Sequence, residues 1–137
     1  MTGTTFERSA QTVEKSLRHN QIQPALFEHL KSLCGDSVSG EQSTADGTYI
    51  DAAVRQGGEY TYYEIKTGLS AQSCIREALG QLLEYSYWPG AQSATRLVIV
   101  GEPRLDKYAK AYLETLRKHL SLPVEYRRFD MNSSRLL

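Results

Sequence analysis

The sequence predicts an α/β fold with a mixed central sheet flanked by helices, and three observations predict it. Thr48 to Gln56 and Glu59 to Thr67 alternate apolar and polar residues with a period of two, as half-buried strands do. Gly57-Gly58 between them is a two-residue hairpin signal. Beyond the hairpin come a long helical pattern, a short apolar run, a second amphipathic helix and a last strand. That order is a βαβ arrangement, which sets strands parallel and places helices on the sheet faces.

Phe6 to Leu17 can form a short helix. Pro24 suits the first turn of a second helix running to about Leu33, with Leu26, Phe27, Leu30 and Leu33 as its apolar face and Gly35 at its end. Asp36 to Thr44 is a ragged strand, followed by the turn signal Ala45-Asp46-Gly47. In the first hairpin strand Ile50, Ala52 and Val54 share one face, and Tyr49, Asp51, Ala53 and Arg55 the other. In the second, Thr61, Tyr63 and Ile65 oppose Tyr60, Tyr62, Glu64 and Lys66. Ser70 starts a helix that reaches about Trp88 and stops at Pro89-Gly90, its core stripe Ile75, Leu79, Leu82 and Leu83. Thr95 to Val100 is nearly all apolar, as a central buried strand is. A helix from about Leu105 to Leu120 and a strand from Pro123 to Asp130 close the chain.

The 137 residues suit a single domain over 1–137, and 40% hydrophobic with 23% charged residues is an ordinary globular balance. No apolar run approaches the ~20 residues that span a bilayer, so no membrane partner is expected. The opening MTGTTFERSAQ lacks a basic and then apolar leader, which makes the cytoplasm the expected compartment. Cys34 and Cys74 form no CxxC and read as small buried hydrophobes. The 16 basic and 16 acidic side chains cancel, which argues against broad electrostatic wrapping of nucleic acid. A local basic rim around an acidic metal site stays compatible with that balance, because the cation brings its own charge.

A two-residue loop at Gly57-Gly58 pairs Gln56 with Glu59. Counting back, Arg55 faces Tyr60, Ala53 faces Tyr62, Asp51 faces Glu64 and Tyr49 faces Lys66. Two carboxylates directly opposed lie roughly 4.5–5.5 Å apart at Cβ, and like charges there are destabilising. A shared proton, the neighbouring Lys66 or a divalent cation would each compensate. Gln81 and Tyr85, at i and i+4 with Glu77 and Ser73 along the same stripe, lie beside the apolar face of the following helix.

Asp51, Glu64-Ile65-Lys66 and Gln81-Leu82-Leu83-Glu84-Tyr85 together resemble the PD-(D/E)xK nuclease superfamily, and within it the RecB-like branch, whose signature adds QxxxY after the ExK strand. The resemblance implies a restriction-endonuclease-like core of order αβββαβ. That core would lie at about 22–101, with an attached C-terminal helix and strand at about 104–130. It implies that Asp51, Glu64 and the main-chain carbonyl of Ile65 bind Mg²⁺ or Mn²⁺. Lys66 would position or activate the attacking water and stabilise charge on the phosphate, while Gln81 and Tyr85 would support the site and contact the nucleic-acid backbone. Glu28 matches the family's N-terminal acidic residue by placement. Ile50 stands where the family name has proline. The implied activity is phosphodiester hydrolysis of nucleic acid, DNA rather than RNA, by a protein acting alone, as a homodimer or in a larger assembly. The alternative is a catalytically silent nuclease-fold module that binds nucleic acid or a protein partner.

Other chemistries find less support. His19, His29 and His119 have no metal-type spacing such as HExxH, and there is neither a phosphate-binding loop nor a G-x-S-x-G elbow. Arg104, Lys107, Lys110, Arg117, Lys118, Arg127 and Arg128 outnumber the acids of the last helix and strand, as the rim of a nucleic-acid track would.

Overall fold

In the computed structural model, which describes the backbone of residues 5–40, 42–43 and 49–137 and the side chains of 13–40 and 49–137, the two helical patterns at the start merge into one helix. This α1 spans Thr5–Cys34 and runs through Pro24. A proline inside a helix has no N–H for the carbonyl four residues back and costs about 3 kcal/mol. Ile22, Leu26 and Leu30, at 0%, 0% and 3% exposure, straddle it. Each such burial contributes about 1.5–3 kcal/mol, which outweighs the break.

A short 3₁₀ turn, Gly35–Ser37, leads into β1 (Val38–Ser39) and β2 (Gln42–Ser43), two fragments where one ragged strand was expected. The turn signal Ala45-Asp46-Gly47 lies outside the described residues. The first hairpin strand is also divided, into β3 (Tyr49–Ile50) and β4 (Ala52–Gln56). β5 (Glu59–Ile65) pairs antiparallel with β4 in the expected register, Gln56 with Glu59 through Ala52 with Tyr63. Gly57 and Gly58 have φ of +59° and +82°, the doubly positive turn that matches strand twist.

α2 (Ala71–Tyr87) is capped by Ser70, whose hydroxyl accepts from the Ser73 N–H. β6 (Arg96–Gly101), α3 (Lys107–Leu120), β7 (Val124–Asp130) and an unanticipated β8 (Arg135–Leu136) follow. The six-stranded sheet has the order β1-β4-β5-β6-β7-β8, while β2 and β3 pair separately. β5, β6 and β7 are mutually parallel and β4 and β8 antiparallel to their neighbours, so the sheet is mixed.

α2 and α3 cover one face, where Ile75, Leu82, Leu113 and Leu116 join Ile50, Ala53, Tyr62, Leu97 and Ile99. α1 covers the other, where Ile22, Leu26 and Leu30 join Ala52, Val54, Tyr63, Ile65, Val98 and Phe129. Ile50 thus lies on the α2 face, away from Ala52 and Val54, because the alternation breaks at Asp51. Cys74 is buried and Cys34 half-buried, both as free thiols. Among the described residues no helix is long and apolar enough to cross a membrane.

The Asp106 carboxylate caps α3, accepting from the N–H groups of Tyr108 and Ala109 at 2.9 and 2.8 Å. Asp106→Ala leaves both donors without that partner and is expected to lower stability by about 1 kcal/mol in urea denaturation.

Candidate acid and metal site

Asp51 is a bend where a continuous strand was expected, and this decides what its side chain can reach. It is not a ladder partner of Glu64. Its Oδ2 turns toward β5 and accepts the Ile65 N–H at 2.8 Å. α1 holds it from the other side: Gln23 Nε2 donates to the Asp51 carbonyl at 3.1 Å, and His19 Nε2 lies 3.1 Å from Asp51 Oδ2. His19 and Gln23 are four residues apart and therefore share a face of the helix.

Glu64 and Lys66 project on the same side of β5, the side that α2 covers, because strand side chains alternate. The Lys66 N–H donates to the Val100 carbonyl at 2.9 Å, which continues the pairing with β6 and fixes the residue past the end of β5. Lys66 Nζ lies 3.4 Å from Glu64 Oε2. The side chain of Glu64 is 6% exposed and that of Lys66 21%. Burial, then the negative charge of Asp51, push the Glu64 carboxyl up to about 8, against the opposing pull of Lys66. The hydrogen bond to Asp51 raises His19 above its ordinary value against partial burial, with the charges of Asp51 and Glu64 adding to it.

Among the described residues the buried side-chain oxygens without a hydrogen-bond partner are Glu64 Oε1 and Gln81 Oε1. Both belong to the motif read from the sequence. Gln81 lies seven residues beyond Cys74, about 10 Å further along α2. Cys74 itself touches the carbonyls of Lys66 and Gly68 at 3.7 and 3.8 Å, so the first turn of α2 abuts the segment after Lys66. Tyr85 is 4% exposed within the core between α2 and the sheet. Glu28 is exposed and, nine residues past His19, lies about 180° around α1 from it, so the structure does not bring it to Asp51.

The structure therefore gathers Asp51, Glu64 and Lys66 and adds His19 and Gln23. Reading the histidines for metal spacing missed His19, since its partner is a bend 32 residues away in the chain. The available signal was the polar pair at i and i+4 beside the stripe Ile22, Leu26 and Leu30. Three of the seven residues of the expected basic rim are engaged by the backbone: Arg117, Arg127 and Arg128 donate to the carbonyls of Val124, Leu137 and Glu102.

Among the described residues no group of three or more His, Cys, Asp or Glu side chains stands ready to hold a metal ion alone. Two carboxylates and a main-chain carbonyl are nonetheless a hard-oxygen donor set, and Mg²⁺ keeps several of its waters when bound. The donor chemistry suits such an ion: Glu64 Oε1 is buried without a partner, and a bound cation would offset the burial and the Asp51 charge that push the Glu64 carboxyl up to about 8. The chain matches no protein-family model, no curated protein and no solved structure.

Proposed function

We propose that this chain is a metal-dependent nuclease of the restriction-endonuclease-like PD-(D/E)xK type, RecB-like branch, hydrolysing phosphodiester bonds of DNA. The carrying observation is that, among the described residues, the unpartnered buried side-chain oxygens belong to Glu64 and Gln81, two residues of the proposed motif. A buried polar group without a partner costs about 1–3 kcal/mol, and a bound ion or a catalytic role is one way a fold comes to keep it. Within the six-stranded sheet, with β2 and β3 paired apart from it, the order α1, β1, β4, β5, α2, β6 is compatible with an αβββαβ core.

Asp51, Glu64 and the Ile65 carbonyl would hold Mg²⁺ or Mn²⁺. When bound, the cation lowers the pKa of its water and polarises a phosphoryl oxygen. His19 and the Ile65 N–H orient Asp51 by occupying Oδ2. Glu64 positions the Lys66 ammonium, which stabilises negative charge developing on the phosphate. Gln81, with its Oε1 buried and unpartnered, would support the site from α2. Tyr85, buried in the core, supports the site through packing.

The test is cleavage of single- and double-stranded DNA and RNA in Mg²⁺ or Mn²⁺. Cleavage is expected with metal and lost in EDTA and in Asp51→Ala. No cleavage across the panel, with no heat of Mn²⁺ binding by calorimetry, would sink the reading. The second reading, a catalytically silent module of the same fold, is favoured by the engagement of Arg117, Arg127 and Arg128 with backbone carbonyls. Mn²⁺ binding without cleavage of any probe is its signature.

A further inference from the structure

A groove of about 1110 Å³ runs beside the site, between α1 and the start of α2. Two of its lining residues adjoin site residues in the chain: Arg18 precedes His19, and Thr67 follows Lys66.

Arg18 stands in it with an arrangement specific to oxyanions. Its Nε and Nη2 donate to Oε1 and Oε2 of Glu102 at 2.6 and 2.5 Å, two parallel bonds from one guanidinium face. Carboxylate and phosphate present matching oxygen pairs to that fork. The pair is accessible, with side chains 42% and 30% exposed, so it is open to exchange. The segment carrying it is held without core packing: Val13 and Leu17 are 56% and 58% exposed, and in the described side chains of α1 burial begins at Ile22. Glu14 and Glu77 also line the groove, Glu77 paired with Lys15 at 3.4 Å, so the acids Glu14, Glu77 and Glu102 face the bases Lys15 and Arg18. With that lining a polyanion gains little from the groove until a basic group is released.

Resting on the nuclease reading, we propose that Arg18 positions the phosphate backbone of the substrate strand, and that the Glu102 carboxylate is the stand-in for that phosphate in the free protein. Binding exchanges one oxyanion for the other in the same fork.

The two partners of the pair then have opposite effects, which a structural ion pair would not show. The probe is a fluorescein-labelled single-stranded oligodeoxynucleotide, with its duplex and an RNA of the same sequence in parallel, titrated by anisotropy in Ca²⁺. Arg18→Ala is expected to weaken binding about tenfold and to make log K against log salt shallower by about 0.7, the loss of one phosphate contact to a single strand. Glu102→Gln is expected to tighten binding several-fold, and Arg18→Ala/Glu102→Gln to match Arg18→Ala. In cleavage assays in Mg²⁺ these changes fall on KM and leave kcat in place. Any other combination, including equal weakening by both single variants, overturns the proposal. If the wild type cleaves and both variants behave like it, the positioning role falls and the nuclease reading stands. If the wild type neither binds nor cleaves, both fall together.

Discussion

Lys66→Ala is expected to lower metal-dependent strand cleavage about 10³-fold, with fold and cation binding retained. A positioned charge or proton donor at a reacting group contributes about 10²–10⁴-fold, and Lys66 is built as one. Its backbone is tied to Val100 and its ammonium is steered by Glu64. At 21% side-chain exposure it is shielded enough for its field to be strong and open enough to meet a substrate. Single-turnover rates at saturating Mn²⁺ measure the loss, and calorimetry of Mn²⁺ binding confirms that the carboxylates still hold the ion. Equal rates in the variant and the wild type would remove Lys66 from the mechanism.

Metal-free protein is expected to lose stability as pH rises from about 5 to about 9, by an amount on the order of a few kcal/mol. Glu64 carries the larger part. Its carboxyl is pushed up to about 8, so between its ordinary value of 4.5 and about 8 the folded state holds a proton that the unfolded chain has released. Stability falls wherever the folded state binds more protons than the unfolded state. His19 acts in the same direction. Its raised value gives a contribution that is complete below 6.5 and lost as pH climbs through the folded value. Urea denaturation at pH 6 and pH 9 reads the difference. Glu64→Gln is expected to remove most of the slope, because a neutral amide carries no charge to desolvate. Mn²⁺ is expected to stabilise the wild type more at pH 9 than at pH 6, since the ionised carboxylate is the ligand. A stability profile that rises toward pH 9 without metal would contradict the buried, strained state of Glu64.

Strand register alone assigns the same effect to Asp51, so that Asp51→Asn would stabilise the metal-free fold. The bend at Asp51 moves the effect to Glu64. Asp51 Oδ2 is satisfied by the Ile65 N–H and by His19, whereas Glu64 Oε1 has no partner. Losing the charge of Asp51 also weakens its hold on His19, which opposes any relief at Glu64.

The hairpin register was legible in advance because it depends on two glycines and an alternating pattern, all within 20 residues. The helix α2 was legible for the same kind of reason, since Ser70 and Pro89-Gly90 mark its ends locally. The continuity of α1 was not. Pro24 reads as a helix start on local rules, and only the burial of Ile22, Leu26 and Leu30 against the sheet outweighs the lost hydrogen bond. The bend at Asp51 was hidden as well, because Tyr49 to Val54 keeps an unbroken period of two.

Sequence by itself determined the α/β class, the hairpin and the pairing of Glu64 with Lys66 on one face of β5, since local spacing and turn chemistry suffice for these. Only the tertiary structure decided that Asp51 would turn to the Ile65 N–H, that His19 and Gln23 would reach it from α1, that Glu28 would face away, and that Arg18 would grip Glu102 beside the site. Each of these depends on where a 30-residue helix crosses the sheet. That crossing is set by the summed burial of side chains far apart in the chain, which no local pattern records.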